Sequence, residues 1–102
     1  MFEAAAAAHA FAIGVDADQY DEMPGTVLTS MVKQVDVALF ETIRAVREHR
    51  FTAGMHVFGL KEGGVDYVHG GEHGRLVPAD VNAKVDDLRA RVLRGEIVVP
   101  TE

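Results

Sequence analysis

The chain contains no cysteine. That excludes a disulfide framework and thiolate chemistry, and it leaves the redox compartment open. A basic run is missing as well: ten Lys and Arg stand against sixteen Asp and Glu, for a formal net charge of −6, and the cations are scattered along the chain. Backbone binding to nucleic acid needs clustered cations that release counterions, so no nucleic-acid partner is expected. Long apolar spans are also lacking. The N-terminal stretch "MFEAAAAAHAFAIGVD" has no positively charged leader region, carries Glu3, and meets Gly14 and Asp16 before it could cross a bilayer. No targeting or transmembrane segment is therefore expected.

What is present fits one small domain. With 102 residues, 48% hydrophobic and 25% charged, the chain can build one modest core. The alanine-rich start predicts a helix over about Phe2 to His9 and a short strand over Phe11 to Val15. "DADQYDEMPG" reads as a loop closed by a Pro24-Gly25 turn, followed by an extended piece from Thr26 to Thr29. Apolar residues at steps of three and four predict a long helix over Ser30 to Glu48, with Ser30 as its cap. "MHVFGL" predicts a strand buried on both faces, Met55 to Leu60. Pro78, the spacing of Val81, Val85, Leu88 and Val92, and Gly95 just past the end predict a second helix, with a last strand at Ile97 to Val99. Alternating strands and helices imply an α/β fold with a mainly parallel sheet and flanking helices.

In such sheets, ligands bind beyond the carboxyl ends of the strands. Asp16 is expected at the end of the first strand, and Lys61, inside the glycine-rich "FGLKEGGVD", at the end of the central one. Together they could clamp hydroxyls, the carboxylate accepting hydrogen bonds and the ammonium donating them, and a vicinal diol is the natural match. The plainer alternative is that Asp16 caps a turn and Lys61 is a solvated loop residue. "HGGEH", His69 to His73, has the letters of the H-x-x-E-H signature of zinc peptidases. That motif needs a helix to bring both histidines to one face, and the glycines at 70, 71 and 74 disfavour helix. A solvent-exposed loop is expected there. No metal, no cofactor and no catalysis are expected, because no activated nucleophile or acid–base pair is visible.

The blocks "AIGVDADQY", "PGTVLTSMVKQVDVALFETI", "FGLKEGGV" and "LVPADVNAKVDDLRARVLRGEIVVP" follow one another along nearly the whole chain. Together they resemble the C-terminal part of the basic membrane protein family, also called purine nucleoside receptor-like lipoproteins. The resemblance implies part of a type I periplasmic-binding-protein fold and a substrate-binding role in an ABC transporter, with a nucleoside, purine in kind, as ligand and a transporter permease as partner. It places ribose contacts on Asp16 and Lys61. Residue type adds Gly14, Gly59 and Gly63 as positions where backbone could close around a ligand, while Asp18, Gln19 and Lys33 read as loop and helix-start scaffolding.

Departures from that family qualify the reading. Its members are longer, with a signal peptide, a lipid-anchored cysteine and an N-terminal lobe that carries most base-stacking aromatics. The resemblance implies a lipid-anchored location on the outer face of the cell membrane, yet this chain shows neither signal peptide nor lipidation cysteine. Asp66 stands where a glycine is common. Residues 1 to 102 are thus expected to be the C-terminal portion of a two-lobe binding protein, with the second lobe largely absent. The alternative is a truncated or self-associating interaction module without ligand binding of its own. Uncovered strand edges and apolar helix faces imply a homo-oligomer or a complementing N-terminal lobe.

Overall fold

The computed structural model describes residues 1–100, and its centre is a seven-residue strand, β2 (Val27–Lys33). On one side β2 pairs in parallel with β1 (Ala12–Asp16), and on the other it pairs antiparallel with a three-residue strand, β3 (Val65–Tyr67). Among the described residues there are three α-helices: α1 (Phe2–Ala7), α2 (Val35–Arg47) and α3 (Ala79–Leu93). The α/β class expected from the sequence is present. The sheet is mixed, however, because its third member is β3 and not the parallel strand expected at Met55 to Leu60.

The helices end in one shared way. Each stops with a residue in the left-handed region, His9 (φ 52°), His49 (φ 56°) and Gly95 (φ 75°), after α1, α2 and α3. In each case the N–H of that residue and of the next one fold back onto the last turn: His9 to Ala6 and Ala10 to Ala5, His49 to Val46 and Arg50 to Ala45, Gly95 to Val92 and Glu96 to Arg91. These paired bonds satisfy carbonyls that a helix end leaves without partners. Glycine adopts that conformation without steric cost, which made the end of α3 readable. Histidine adopts it less readily, and the other two ends carried no such signal.

Three expected elements take another form. The long helix starts at Val35, with Gln34 before it, and Ser30 lies buried in β2. Apolar residues at Met31 and Val32 fit either period, and strand pairing on both edges of β2 decides between them. Met55 to Leu60 forms no strand; Met55 and Val57 are 94% and 78% exposed. An apolar run becomes a buried strand only when neighbours pair with its backbone, and among the described residues none does. Ile97 to Val99 likewise forms no strand, and Val98 and Val99 face solvent.

The interior is small. Val27 is the one fully buried hydrophobic residue among those described, joined by Ser30 and His73. Gly14 sits opposite Ser30 across the parallel pair, and a Cβ on Gly14 would fall 2.3 Å from the Ser30 hydroxyl oxygen. Glycine is required by this close approach, not by backbone conformation. α3 is tied to the sheet mainly by polar contacts: Arg89 forms a two-pronged ion pair with Asp66 (3.0 and 2.7 Å), and the Tyr67 hydroxyl donates to Asp86 at 2.8 Å. The Arg89 hydrogen bonds hold the Asp66 carboxyl below the usual carboxylate range, against an opposing push from burial. Burial, reinforced by Asp86, raises the Tyr67 hydroxyl above its ordinary value.

Two stability measurements follow from these contacts. Gly14→Ala is expected to cost about 1 to 3 kcal/mol in urea denaturation, because the strands must separate to admit a methyl group. Gly74→Ala, where an added Cβ meets nothing within 4 Å, should stay within about 0.5 kcal/mol of the parent. The second measurement is pH-dependent. Since folding lowers the Asp66 pKa, the pair's contribution is full above the unfolded value of about 3.9 and is lost as pH falls through the folded value. Asp66→Asn should therefore lower the melting temperature at pH 7, and the gap from the parent should close in acid. A gap that persists at the lowest pH would assign it to packing.

Candidate functional site

Asp16 ends β1 with φ 75°, a conformation that aspartate tolerates better than most residues. Its carboxylate accepts a 2.7 Å contact from the ammonium of Lys33, the last residue of β2, and both side chains are more than half exposed. The parallel register makes this pair. Asp16 lies opposite Val32, so Lys33 is the next residue along the neighbouring strand. Sequence reading assigned Lys33 to the start of a helix, whereas the structure places it on the candidate carboxylate. The missed signal was the length of β2.

Lys61 reaches the same edge by an unexpected route. It sits on a turn, residues 60–63, ahead of β3. Because β3 runs antiparallel to β2, with Val65 opposite Lys33, the approach to β3 lies at the carboxyl end of β2. The Gln34 N–H donates to the Gly64 carbonyl at 2.8 Å and anchors the loop there. Gly63 takes φ 69°, and the Gly59 N–H donates to the Glu62 carboxylate at 2.9 Å. Gly64, which the sequence did not single out, is the buried glycine of this loop: a Cβ there would lie 2.3 Å from the Phe58 Cβ. Asp16, Lys33 and the Lys61 loop thus share one exposed sheet edge, with Gly14 buried beneath it.

The loop after β1 is held by a short relay. The Gln19 side-chain oxygen accepts from the Val15 N–H at 2.9 Å, while the Gln19 N–H donates to the Ser30 hydroxyl at 3.0 Å. Asp18 accepts from the Tyr20 N–H at 3.1 Å and contacts the His73 ring at Nε2, also at 3.1 Å. Scaffolding is what these contacts describe for Asp18 and Gln19.

His73 is the clearest correction. It was expected in a solvent-exposed loop and is instead almost wholly buried, at the start of a single 3-10 turn, His73–Arg75. Its Nδ1 lies 3.3 Å from the Leu28 carbonyl, its Nε2 faces Asp18, and Tyr20 packs edge-on against the ring at 4.6 Å. His69 is exposed and lies against Tyr67. The two histidines do different things, and both nitrogens of His73 are already occupied by protein oxygens. His73→Ala should therefore cost about 1 to 3 kcal/mol, by stranding buried polar groups, and His69→Ala less than about 0.5 kcal/mol. Equal effects in denaturation would contradict this division of roles.

The exposed end of the α/β sheet carries the Asp16–Lys33 pair with the Lys61 loop beside it. Comparison with known proteins gives the class. The chain superimposes on a solute-binding protein of an ABC transporter from Aeropyrum pernix K1 with a TM-score of 0.71 and 29% identity, over 98% of this chain and 36% of that one. The family described as ABC transporter substrate-binding protein PnrA-like matches residues 3–102, and the chain belongs to it. Relatives include basic membrane protein A of Borreliella afzelii, 33% identical over 92 residues, covering 88% of this chain and 27% of the relative. An uncharacterized lipoprotein of Pyrococcus furiosus is 33% identical over 101 residues, covering 86% of this chain and 25% of the relative. The chain therefore spans about a quarter of the length of these curated relatives. Relatives bear membrane-protein and lipoprotein names; among the described residues no helix is long and apolar enough to cross a membrane.

Proposed function

We propose that this chain supplies the sugar-contacting edge of a nucleoside-binding protein that delivers its ligand to an ABC transporter permease, without catalysis. The observation that carries the reading is the convergence of Asp16, Lys33 and the Lys61 loop at the carboxyl ends of β1 and β2. A carboxylate and an ammonium on one edge match the hydroxyls of a ribose, which donate to the first and accept from the second. Family membership supports the transport role and a membrane-associated setting. Residues 1–102 act in this reading as the C-terminal portion of a two-lobe clamp whose other lobe supplies the surfaces for the base.

The exposure of the edge sets what the chain can do alone. Asp16 and Lys33 are hydrated, so a hydrogen bond to a sugar replaces one to water and nets about 0.5 to 1.5 kcal/mol. A few such bonds do not offset the several kcal/mol of freedom lost on association. Isothermal titration with adenosine, guanosine or inosine should find binding no tighter than roughly millimolar. Joined to the N-terminal portion of a family relative, the chain should bind far more tightly, and Asp16→Ala or Lys61→Ala should weaken that binding by about tenfold each. Micromolar binding by the 102 residues alone would show a site complete without a second lobe. A joined protein indifferent to both substitutions would move the sugar contacts elsewhere.

A further inference from the structure

His73 is a buried titratable side chain that the binding edge does not use. Its ring stands between two oxygens, with the Leu28 carbonyl 3.3 Å from Nδ1 and the Asp18 Oδ1 3.1 Å from Nε2. A backbone carbonyl and a carboxylate only accept hydrogen bonds. Neutral imidazole carries one N–H and one lone pair, so it can donate to one of these oxygens and must turn its lone pair on the other. The imidazolium donates to both. Asp18 is badly placed to supply the second proton itself, because the same Oδ1 already accepts the Tyr20 N–H at 3.1 Å and the side chain is half-exposed to water. Among the described residues no buried side-chain nitrogen or oxygen lacks a partner, and for His73 that holds only when both nitrogens donate.

We infer that His73 is held as the imidazolium and works as a proton-operated latch, fastening the loop after β1 to the turn before α3. Its surroundings favour the charge. On the loop side the ring faces Asp18 and Tyr20, whose ring stands across it at 66°, and Asp21 borders the same hollow. On its own side of that hollow lie His69 and Glu72, the latter engaged by Arg75 at 3.0 Å. Behind the ring are Leu28 of β2 and Val77, Val81 and Asn82 around the start of α3, all uncharged. Carboxylates thus outnumber cations here, and nearby opposite charge favours the charged form of a histidine. Loss of the proton leaves one contact to break: either the turn lets go of β2 at Leu28, or Asp18 lets go of the ring. Asp18 lies two residues after Asp16, so the second outcome loosens the loop that leaves the sheet edge. Every contact in the latch is made within this chain, and the inference is independent of what that edge binds.

Folding then favours the doubly protonated ring, so the latch contributes fully below the ordinary range of an unfolded histidine, about 6.5, and its contribution is lost as rising pH takes the proton from the folded ring. Nitrogen-resolved NMR of the histidine rings reads the proton count directly. His73 should keep protons on both nitrogens to a higher pH than the exposed His69 does. A His73 ring that loses its second proton together with His69, or before it, would overturn the inference. Asp18→Asn supplies a second measurement. Asparagine can turn its amide to donate to a neutral Nε2, so this variant no longer needs the imidazolium. At about pH 5.5 the parent should melt at least about 4 °C above Asp18→Asn, and the gap should close by about pH 9. A gap of constant size across that range would leave Asp18 a merely structural contact and overturn the latch. Should the variant fail to fold, the ring protons of the parent decide alone.

Discussion

The parallel seam between β1 and β2 is the contact on which the rest of the structure depends. Gly14 lets the strands approach closely enough for the Ser30 hydroxyl to sit under the β1 backbone. That hydroxyl accepts from the Gln19 N–H, and Gln19 in turn accepts from the Val15 N–H. One missing methyl group thus allows the seam, and the seam fixes both the loop that follows β1 and the position of Asp16. The register also decides the partner of Asp16. A shift by one residue would carry Lys33 away from the carboxylate and exchange the faces of every β1 side chain.

Around that seam the packing is thin. Radius of gyration is 16.5 Å, against roughly 13 Å for a compact domain of this length. Between the sheet and α3 lies an apolar groove lined by Ile13, Leu28, Val77, Val81 and Val85. Directed polar contacts hold α3 instead. Asp66 with Arg89 and Tyr67 with Asp86 fasten the helix to β3, while His73 joins the turn before α3 to the loop after β1. Asp66 therefore has a structural account of its own: it is the carboxylate that receives Arg89. Hydrogen bonds of this kind fix orientation well but contribute little net free energy each. Such a molecule gains from any surface that covers its apolar faces, a second copy or further polypeptide alike.

Charge is organised differently at the two exposed places. At the sheet edge the Asp16 carboxylate is already engaged by Lys33, with Lys61 and Glu62 on the adjoining loop, so charges of both signs meet there. Along α2, Asp36 lies in the first turn and Arg47 in the last, with an Arg44–Glu41 ion pair between them. In the proposed reading, the first arrangement presents polar atoms to a small ligand. These surfaces belong to different elements and make separate demands on the chain.

Local pattern determined much of this protein. The alanine run of α1, the apolar spacing of α3 between Pro78 and Gly95, and the first strand ending at Asp16 follow from propensity, period and turn chemistry, which act over a few residues. Asp16 and the Lys61 loop could be placed at one edge for the same reason, although the strand expected before Lys61 did not form. Tertiary structure decided what depends on distant partners. Residues 30 to 33 became strand because β1 and β3 pair with them, and Met55 to Leu60 remained loop because no strand does. His73 went inside because Leu28, Asp18 and Tyr20, far away in sequence, surround its ring. Lys33 met Asp16 only through the register of two strands. Periodicity reports which face of an element is apolar; it carries no information about which other element will come to cover it or pair with its backbone.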